Sequence, residues 1–505
     1  MPAQTSPAPG RPGVTLRAAD LRFILPTLVD TVRVVGNGDE LTALGAGMEA
    51  AGIQVLTPAS SAQADLVVSN HARALDVPAH THLIVGDRVT RRHGGQVQPL
   101  LLRGGVARPA VIVPLDGSGS LRWHLRHTGA LGRPRVRVRN TALSVVAGFE
   151  GLPHLLPSRA LATVVTSAKR PAPPMVLAAA RELGLPADVG WVLALGNGDD
   201  LQRAVFHVSC GGIRRWAVKF SRVPGHEAPF RRDAEGLALA QSFPVTAARA
   251  PRLLGRLTVS GLPLSVESAA PGHPLVDWLG RHGRSSSSTS ALPLVEELAG
   301  WVVDVGVQTA EPAASLEPER TRLAQEVLPA WRQAGAPSDL VQALPAVPGV
   351  LAHHDLGTWN ILTDGSTITA VDWESARRPA MPLWDLLYLL GDALVRLDGE
   401  TDRDLLTDHA LALFRGEHPR SAVLFGWVGR AVEALGLPPE AVGPLATLCW
   451  MHHGLSAAAR ERDLVGAEPA PTSHLARLAP SWLSDPALGP TWEAWSAWSR
   501  STTSR

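Results

Sequence analysis

The stretch that most limits what this chain can become is Val350 to Glu374, reading VLAHHDLGTWNILTDGSTITAVDWE. Its apolar lead-in predicts a buried strand. A polar loop follows, with Asp355 and Asn360 five positions apart, then a short β-rich return and a second carboxylate at Asp372. Asp and Asn are common turn formers, and capping a turn is the plainer role for either one alone. What distinguishes this stretch is that His353, Asp355, Asn360 and Asp372 coincide with strand-like flanks such as AVDW.

Phosphoryl transfer demands such a set. It needs a base that orients the acceptor, hard oxygen ligands for Mg²⁺, and positive charge on the nucleotide phosphates. Asp355 is the candidate base. Asn360 and Asp372 can offer oxygens to the metal, and the neutrality of Asn360 limits the negative charge collected there. For the positive charge, lysine usage narrows the choice: Lys169 and Lys219 are the only lysines among 47 basic residues. Lys219 lies in the apolar strand pattern WAVKF, where a compact ammonium on a flexible stem suits better than a planar fork.

With these residues identified, the segment resembles the catalytic loop of the kinase-like aminoglycoside and choline phosphotransferase families: His, any residue, Asp, four residues, Asn, then a metal-binding Asp. The resemblance covers about residues 180–465. It implies a catalytic set of Asp355, Lys219 and His353, with Asn360 and Asp372 on Mg²⁺ and ATP as the nucleotide. It also implies that Glu235, in PFRRDAEGLALAQSF, orients Lys219, with Glu227 and Asp233 as competing carboxylates. Gly196 and Gly198, in GNGDDL, would let backbone amides approach the phosphates, and the main chain from Glu267 to Ala269 would meet the adenine edge. Asp385 matches an acid that braces the catalytic loop.

Departures from the protein-kinase pattern bear on the acceptor. His354 stands where that pattern has Arg, and DWE stands in place of DFG. The helical pattern MPLWDLLYLLGDALVRL starts only about ten residues past Asp372, which leaves no room for a long activation segment. A small-molecule acceptor is favoured, such as a cationic or amino sugar.

At 505 residues the chain has length for roughly three domains. The expected fold class is α/β plus α+β: a disordered tail over 1–17, a degenerate Rossmann-like domain over 18–170, then a bilobal kinase-like part with its small lobe over 171–275 and a helical large lobe over 276–505. Cys210 and Cys449 are too few and too far apart for a disulfide scaffold or zinc site. The start, MPAQTSPAPGRPG, lacks the apolar core of a signal peptide, and no apolar run approaches the roughly 18 residues of a membrane span. A cytoplasmic protein is expected.

The net charge of +1 hides a division. Residues 1–290 hold 32 basic and 19 acidic side chains, whereas 291–505 hold 15 and 27. The halves would attract different partners or each other.

In the first region TVRVVGNGDELTALGAGMEAAGIQVL reads as strand, glycine turn, helix and strand, and ADLVVSN and THLIVGD as further buried parallel strands. This resembles the nucleotide-binding half of class I methyltransferases, with Gly36 and Gly38 at the turn. An acid is wanted roughly 20 positions past the glycines to hold the ribose, but the chain has Val55, Leu56, Thr57 and Pro58. Further on, RPRVRVRN sets Arg133, Arg135, Arg137 and Arg139 at period two, which as a strand would turn four guanidinium groups to one face. Such a face is a solvated edge, a dock for the acidic lobe, or a site for an anionic partner. With Trp123 as the nearest aromatic, nucleic acid is not expected.

Towards the end, RHGRSSSSTSALP reads as a flexible excursion. Adjacent His452 and His453 read as packing or surface residues rather than ligands, and Trp482, Trp492, Trp495 and Trp498 as an aromatic stripe closing a core or interface. The reading that follows is an ATP-dependent small-molecule phosphotransferase. Its rivals are a catalytically silent kinase-like scaffold that binds nucleotide or glycan, and a bifunctional protein with an amino-terminal methyltransferase.

Overall fold

A computed structural model describes residues 16–57, 60–87, 89, 96–115, 119–131, 134–145, 160–167, 172–196, 203–222, 227–282, 291–400, 402–465, 477–488 and 491–492. Most of the expected tail, the run of four serines, Trp495 and Trp498 lie outside them. The chain forms two compact units, Met1–Phe230 with Leu253–Ala269, and Arg231–Arg252 with Ala270–Arg505.

The first unit begins with β1 (Thr31–Val35), α1 (Asp39–Ala50), β2 (Gln54–Leu56), β3 (Ala64–Ser69) and β4 (Ala79–Val85). β1 lies between β2 and β3, and β3 pairs with β4, all in parallel. The apolar runs explain it: Val32, Leu66, Val68 and Leu83 are buried in one core with Leu44 and Met48 of α1. At the β1–α1 turn Gly36 has φ 122°, and a Cβ there would lie 2.3 Å from Asn70 Oδ1, so glycine is required.

The Arg-rich run departs from expectation. Helix α2 (Ser120–Leu131) is followed by α3 (Pro134–Val145), so Arg135, Arg137 and Arg139 are helical, and Arg133 lies outside the described residues. Pro134 opens the helix, where its fixed φ fits and its missing N–H costs nothing. Alternate residues on a helix do not share a face. The strand on which that face was expected is therefore a helix over the described residues.

The remaining strands are β5 (Gln96–Arg103), β6 (Val111–Pro114), β7 (Leu161–Thr166), β8 (Gly190–Ala194), β9 (Ala204–Cys210), β10 (Ile213–Phe220), β11 (Leu253–Val259) and β12 (Leu262–Ser268). Together they form one sheet in the order β11-β12-β10-β9-β8-β6-β5-β7-β4-β3-β1-β2. Strands before and after the Pro-rich stretch SAKRPAPPM, where the expected domain boundary falls, meet at β6–β8, where Val111 pairs with Ala194 and Ile112 with Leu193. Arg17, buried in a 3₁₀ turn, ties the same seam: its Nη2 donates to Pro109 O at 3.1 Å and Leu195 O at 3.3 Å. A single apolar cluster runs from Ala18 through Ile112 and Leu193 to Phe220 and Val266.

The second unit holds most of α4 (Ala228–Gln241), then β13 (His273–Pro274), α5 (Leu275–His282), α6 (Leu292–Gln308), β14 (Val350–Ala352), β15 (Ile361–Thr363), β16 (Ile368–Ala370), β17 (Arg377–Ala380), α7 (Trp384–Arg396), α8 (Arg403–Arg415), α9 (Ser421–Leu435), α10 (Val442–Val465) and α11 (Leu478–Ser484). Its small sheets are β13-β15-β16 and β14-β17. Helix α7 is buried on all sides from Trp384 to Val395 and packs against α5, α6, α8, α9 and α10, as a helix apolar around most of its girth must. Trp482 and Trp492 close the far end of this core, with ring centroids 5.7 Å apart and each within 6 Å of the Phe414 ring. Among the described residues no helix is long and apolar enough to cross a membrane.

Helix α4 meets the segment after Asp372 by backbone contact, since a Cβ on Gly236 would lie 1.9 Å from Trp373 O. Gly236→Ala should therefore force the two apart. The expected cost is about 1–3 kcal/mol of overpacking, read as a lower urea midpoint than wild type; an unchanged midpoint would refute the close approach.

Candidate active site

Strand β14 is fully buried and delivers the loop His353–Asn360. β15 and β16 form the return hairpin, whose turn is held by Asp364 Oδ1 accepting from Ser366 N at 2.9 Å and Thr367 N at 2.8 Å. These amides also hold the Asp364 carboxyl below its usual range. The chain then reaches Asp372, which sits in the left-handed region at φ 67°.

Helix α7 presents Asp385, Tyr388 and Asp392 to this loop. Their spacing of three and four residues puts them on one helical face. Asp385 accepts from two successive amides, His353 N at 2.5 Å and His354 N at 2.8 Å. Burial pushes its carboxyl up, while His353 and the two amides pull against that shift. Tyr388 donates to Asp355 Oδ1 at 3.3 Å. Asp392, fully buried, accepts from Thr358 N at 2.9 Å and from the Thr358 hydroxyl, and pairs with Arg396 Nε at 2.6 Å.

The loop is also tied to the segment carrying Asp372. His353 lies 3.0 Å by Nε2 from Val371 O and accepts at Nδ1 from Asp355 N at 3.3 Å. Both contacts are satisfied by one tautomer, protonated on Nε2. Both ring nitrogens of His353 are thus engaged by backbone groups. Asn360 O accepts from Val371 N at 2.8 Å. Asn360 Nδ2 donates to Asp355 O at 2.8 Å and to Oδ2 at 3.1 Å, which leaves the amide oxygen as the Asn360 atom suited to a cation.

His354 has φ 62° and is buried, its ring edge-on to Trp384 and to His452. His452 stacks on Trp384 at 5.0 Å with Nδ1 3.2 Å from Arg322 Nη2, and His453 stacks on Tyr388 at 4.1 Å. The adjacent histidines thus face different helix residues and form a packing layer beneath the loop.

The other expected site residues fall on other elements. Glu235 is on α4 in the second unit, whereas Lys219, Gly196, Glu267 and Ala269 belong to the first; Gly198 lies outside the described residues. Lys219 forms an ion pair at 2.9 Å with Glu267, whose carboxylate is buried. The register explains this pair: Lys219 is opposite Ser265 and Ala217 opposite Glu267, so Lys219 and Glu267 are diagonal neighbours on one sheet face. Ala269 N donates to Arg215 O at 2.8 Å. Gly196 has φ 71°, which suits a turn after β8.

Tyr388 and Asp392 were missed by sequence reasoning. Their signal was the spacing within WDLLYLLGD, where polar groups recur on the face already marked by Asp385.

No protein-family model and no curated protein matches the chain. Among solved structures, the GDP and kanamycin complex of the aminoglycoside phosphotransferase APH(2")-IIia aligns at 18% identity and a TM-score of 0.28, covering 49% of this chain and 91% of that one. Aminoglycoside phosphotransferase APH(3'')-Id from Streptomyces rimosus aligns at 19% identity and a TM-score of 0.29, covering 53% and 96%.

The histidine layer carries a pH dependence. Burial, followed by neighbouring positive charge and imidazoles, holds His354 and His452 well below the usual imidazole range. In the first unit His207 is lowered in the same way, and His124 is pushed down to about 4. Below about pH 6.5 the unfolded chain takes up protons that the folded chain does not, so stability falls with pH by up to about 1.4 kcal/mol per unit per group. Melting at pH 7.5 and 5.5 should show a drop that is smaller in His452→Gln, even though that variant starts lower for lack of the Trp384 stack. Equal drops would mean that His452 does not titrate this way.

Proposed function

We propose that this chain is an ATP-dependent phosphotransferase that moves the γ-phosphate to a hydroxyl of a small molecule, a sugar or amino sugar. The observation that carries the reading is the setting of Asp355. Its carboxylate is bonded by Asn360 and Tyr388, and its loop is tied through Val371 to the neighbouring Asp372.

Asp355 accepts the proton of the acceptor hydroxyl. The hydroxyl oxygen forms a bond to the γ-phosphorus as the bond to the β–γ bridging oxygen breaks, and ADP leaves with those electrons. Lys219, with Glu267 beside it, supplies an ammonium for the nucleotide phosphates. The Asn360 amide oxygen and the Asp372 carboxylate are hard, oxygen-only donors of the kind Mg²⁺ takes. Bound Mg²⁺ would offset phosphate charge.

Two features favour a small acceptor over a protein. Only a short turn and β17 separate Asp372 from α7 at Trp384, so no long segment is available to dock a polypeptide. The acidic surplus over 291–505 suits a cationic sugar. The parallel order β2-β1-β3-β4 with α1 supports reading the first region as Rossmann-like. Methyl transfer there is not proposed, because Val55, Leu56 and Thr57 offer no carboxylate for a ribose.

The test is incubation with labelled ATP, Mg²⁺ and a panel of amino sugars, nucleosides and glycan fragments. Transfer should occur to at least one acceptor, and Asp355→Asn should reduce its rate by about 10²–10⁴-fold. Transfer that persists undiminished in this variant would remove Asp355 as the base and the proposal with it.

A further inference from the structure

We propose that Tyr388 is a positioning residue for the Asp355 carboxylate, holding it in the one orientation from which it can take the acceptor proton. The inference rests on the phosphotransferase reading and adds to it a residue outside the loop motif.

The two carboxylate oxygens are engaged separately: Oδ2 accepts from Asn360 Nδ2 at 3.1 Å and Oδ1 from the Tyr388 hydroxyl at 3.3 Å. Donors on both oxygens oppose rotation about the side-chain torsion that either one alone would permit. Each carboxylate oxygen can accept more than one hydrogen bond, so an acceptor hydroxyl can still approach.

Tyr388 is itself fixed from three sides. Its ring stacks on His453 at 4.1 Å and 24°, meets the edge of Trp359 at 6.0 Å and lies 6.2 Å from Trp450. It is 6% exposed and rises from the buried helix α7 between Asp385 and Asp392, which hold the loop on either side of Asp355. A chain of 505 residues with a single tyrosine has its one phenol here. The packing needs only the ring, and phenylalanine would supply that. The hydroxyl is what reaches the carboxylate.

The test uses the full-length chain and the substitutions Tyr388→Phe and Asp355→Asn. Phe keeps the three ring contacts, so folding is preserved and the loss is confined to one oxygen. A hydrogen bond to an ionised group that is lost only in the active geometry corresponds to about a 10–100-fold fall in kcat. The KM for the acceptor should change little. A fall in kcat with an unchanged acceptor KM and an unchanged melting temperature is a split that a merely structural role would not produce.

A second readout is independent of turnover. Tyrosinate absorbance near 295 nm reports Tyr388 alone, and removing the neighbouring negative charge in Asp355→Asn should bring its onset to lower pH than in wild type. A Tyr388→Phe kcat equal to that of wild type, in an enzyme that Asp355→Asn inactivates, would overturn the positioning role and leave the phosphotransferase reading standing. An unmoved tyrosinate onset would likewise overturn the contact. Full turnover in Asp355→Asn would overturn the reading and the positioning role together.

Discussion

The candidate site depends on one buried anion. Asp385 is withdrawn from water at the start of α7, and a carboxylate there is costly unless hydrogen-bond donors surround it. The donors are the amides of His353 and His354, two successive N–H groups aimed at one carboxylate. Consecutive amides converge in this way when the backbone departs from its ordinary regions, forming a concavity that binds anions. The left-handed conformation of His354 at φ 62° has its physical reason here. A non-glycine residue in that region carries strain, which the bond to Asp385 and the packing against Trp384 and His452 offset. The chain turns directly after the bonded amides, and Asp355 is the next residue.

From that anchor the loop is held at intervals. His353 links the entry of the loop to Val371, Asn360 links its exit to the same residue, and Asp392 clamps Thr358 between them. The amide and the carbonyl of Val371 are thus both engaged by the loop, so the position of Asp372 follows from the same bonds that position Asp355. Arg396 neutralises Asp392 from one turn along α7, which makes a second buried carboxylate tolerable so close to the first.

How far this was legible in sequence varied with the range of the interaction. The strand, loop and hairpin of 350–370 were legible because apolar lead-in, turn residues and β-formers act over a few positions. The parallel strands of 31–85 were legible for the same reason. Partners chosen by tertiary structure were not. Lys219 reads as a strand-end lysine, but its pairing with Glu267 depends on the register of β10 against β12, and no local pattern carries that register. The Arg/Val alternation at 133–139 imitates a strand, and the overlooked cue was Pro134, which suits the first turn of a helix. Nor does composition reveal that strands on both sides of a Pro-rich join share one sheet. That seam rests on two β6–β8 pairs and on Arg17, which reaches carbonyls about 92 and 178 positions away.

The layer beneath the loop gives the arrangement its rigidity. Trp384 and Tyr388 are one helical turn apart on α7, and each stacks on one of the adjacent histidines of α10. Neighbouring residues on a helix point in different directions, so His452 and His453 can serve two different rings only because α7 crosses close above them. A shift of one helix against the other would break both stacks at once and would carry Asp385, Tyr388 and Asp392 with it, since all three are on the same face of α7. Movement within this layer is therefore coupled to movement of the loop. The charge balance reinforces the coupling: His354 and His452 stay neutral because they are buried and lie near Arg322 and Arg377. Uncharged imidazoles can stack on aromatic rings without the cost of desolvating an ion, so the geometry above them persists only while the layer remains dry.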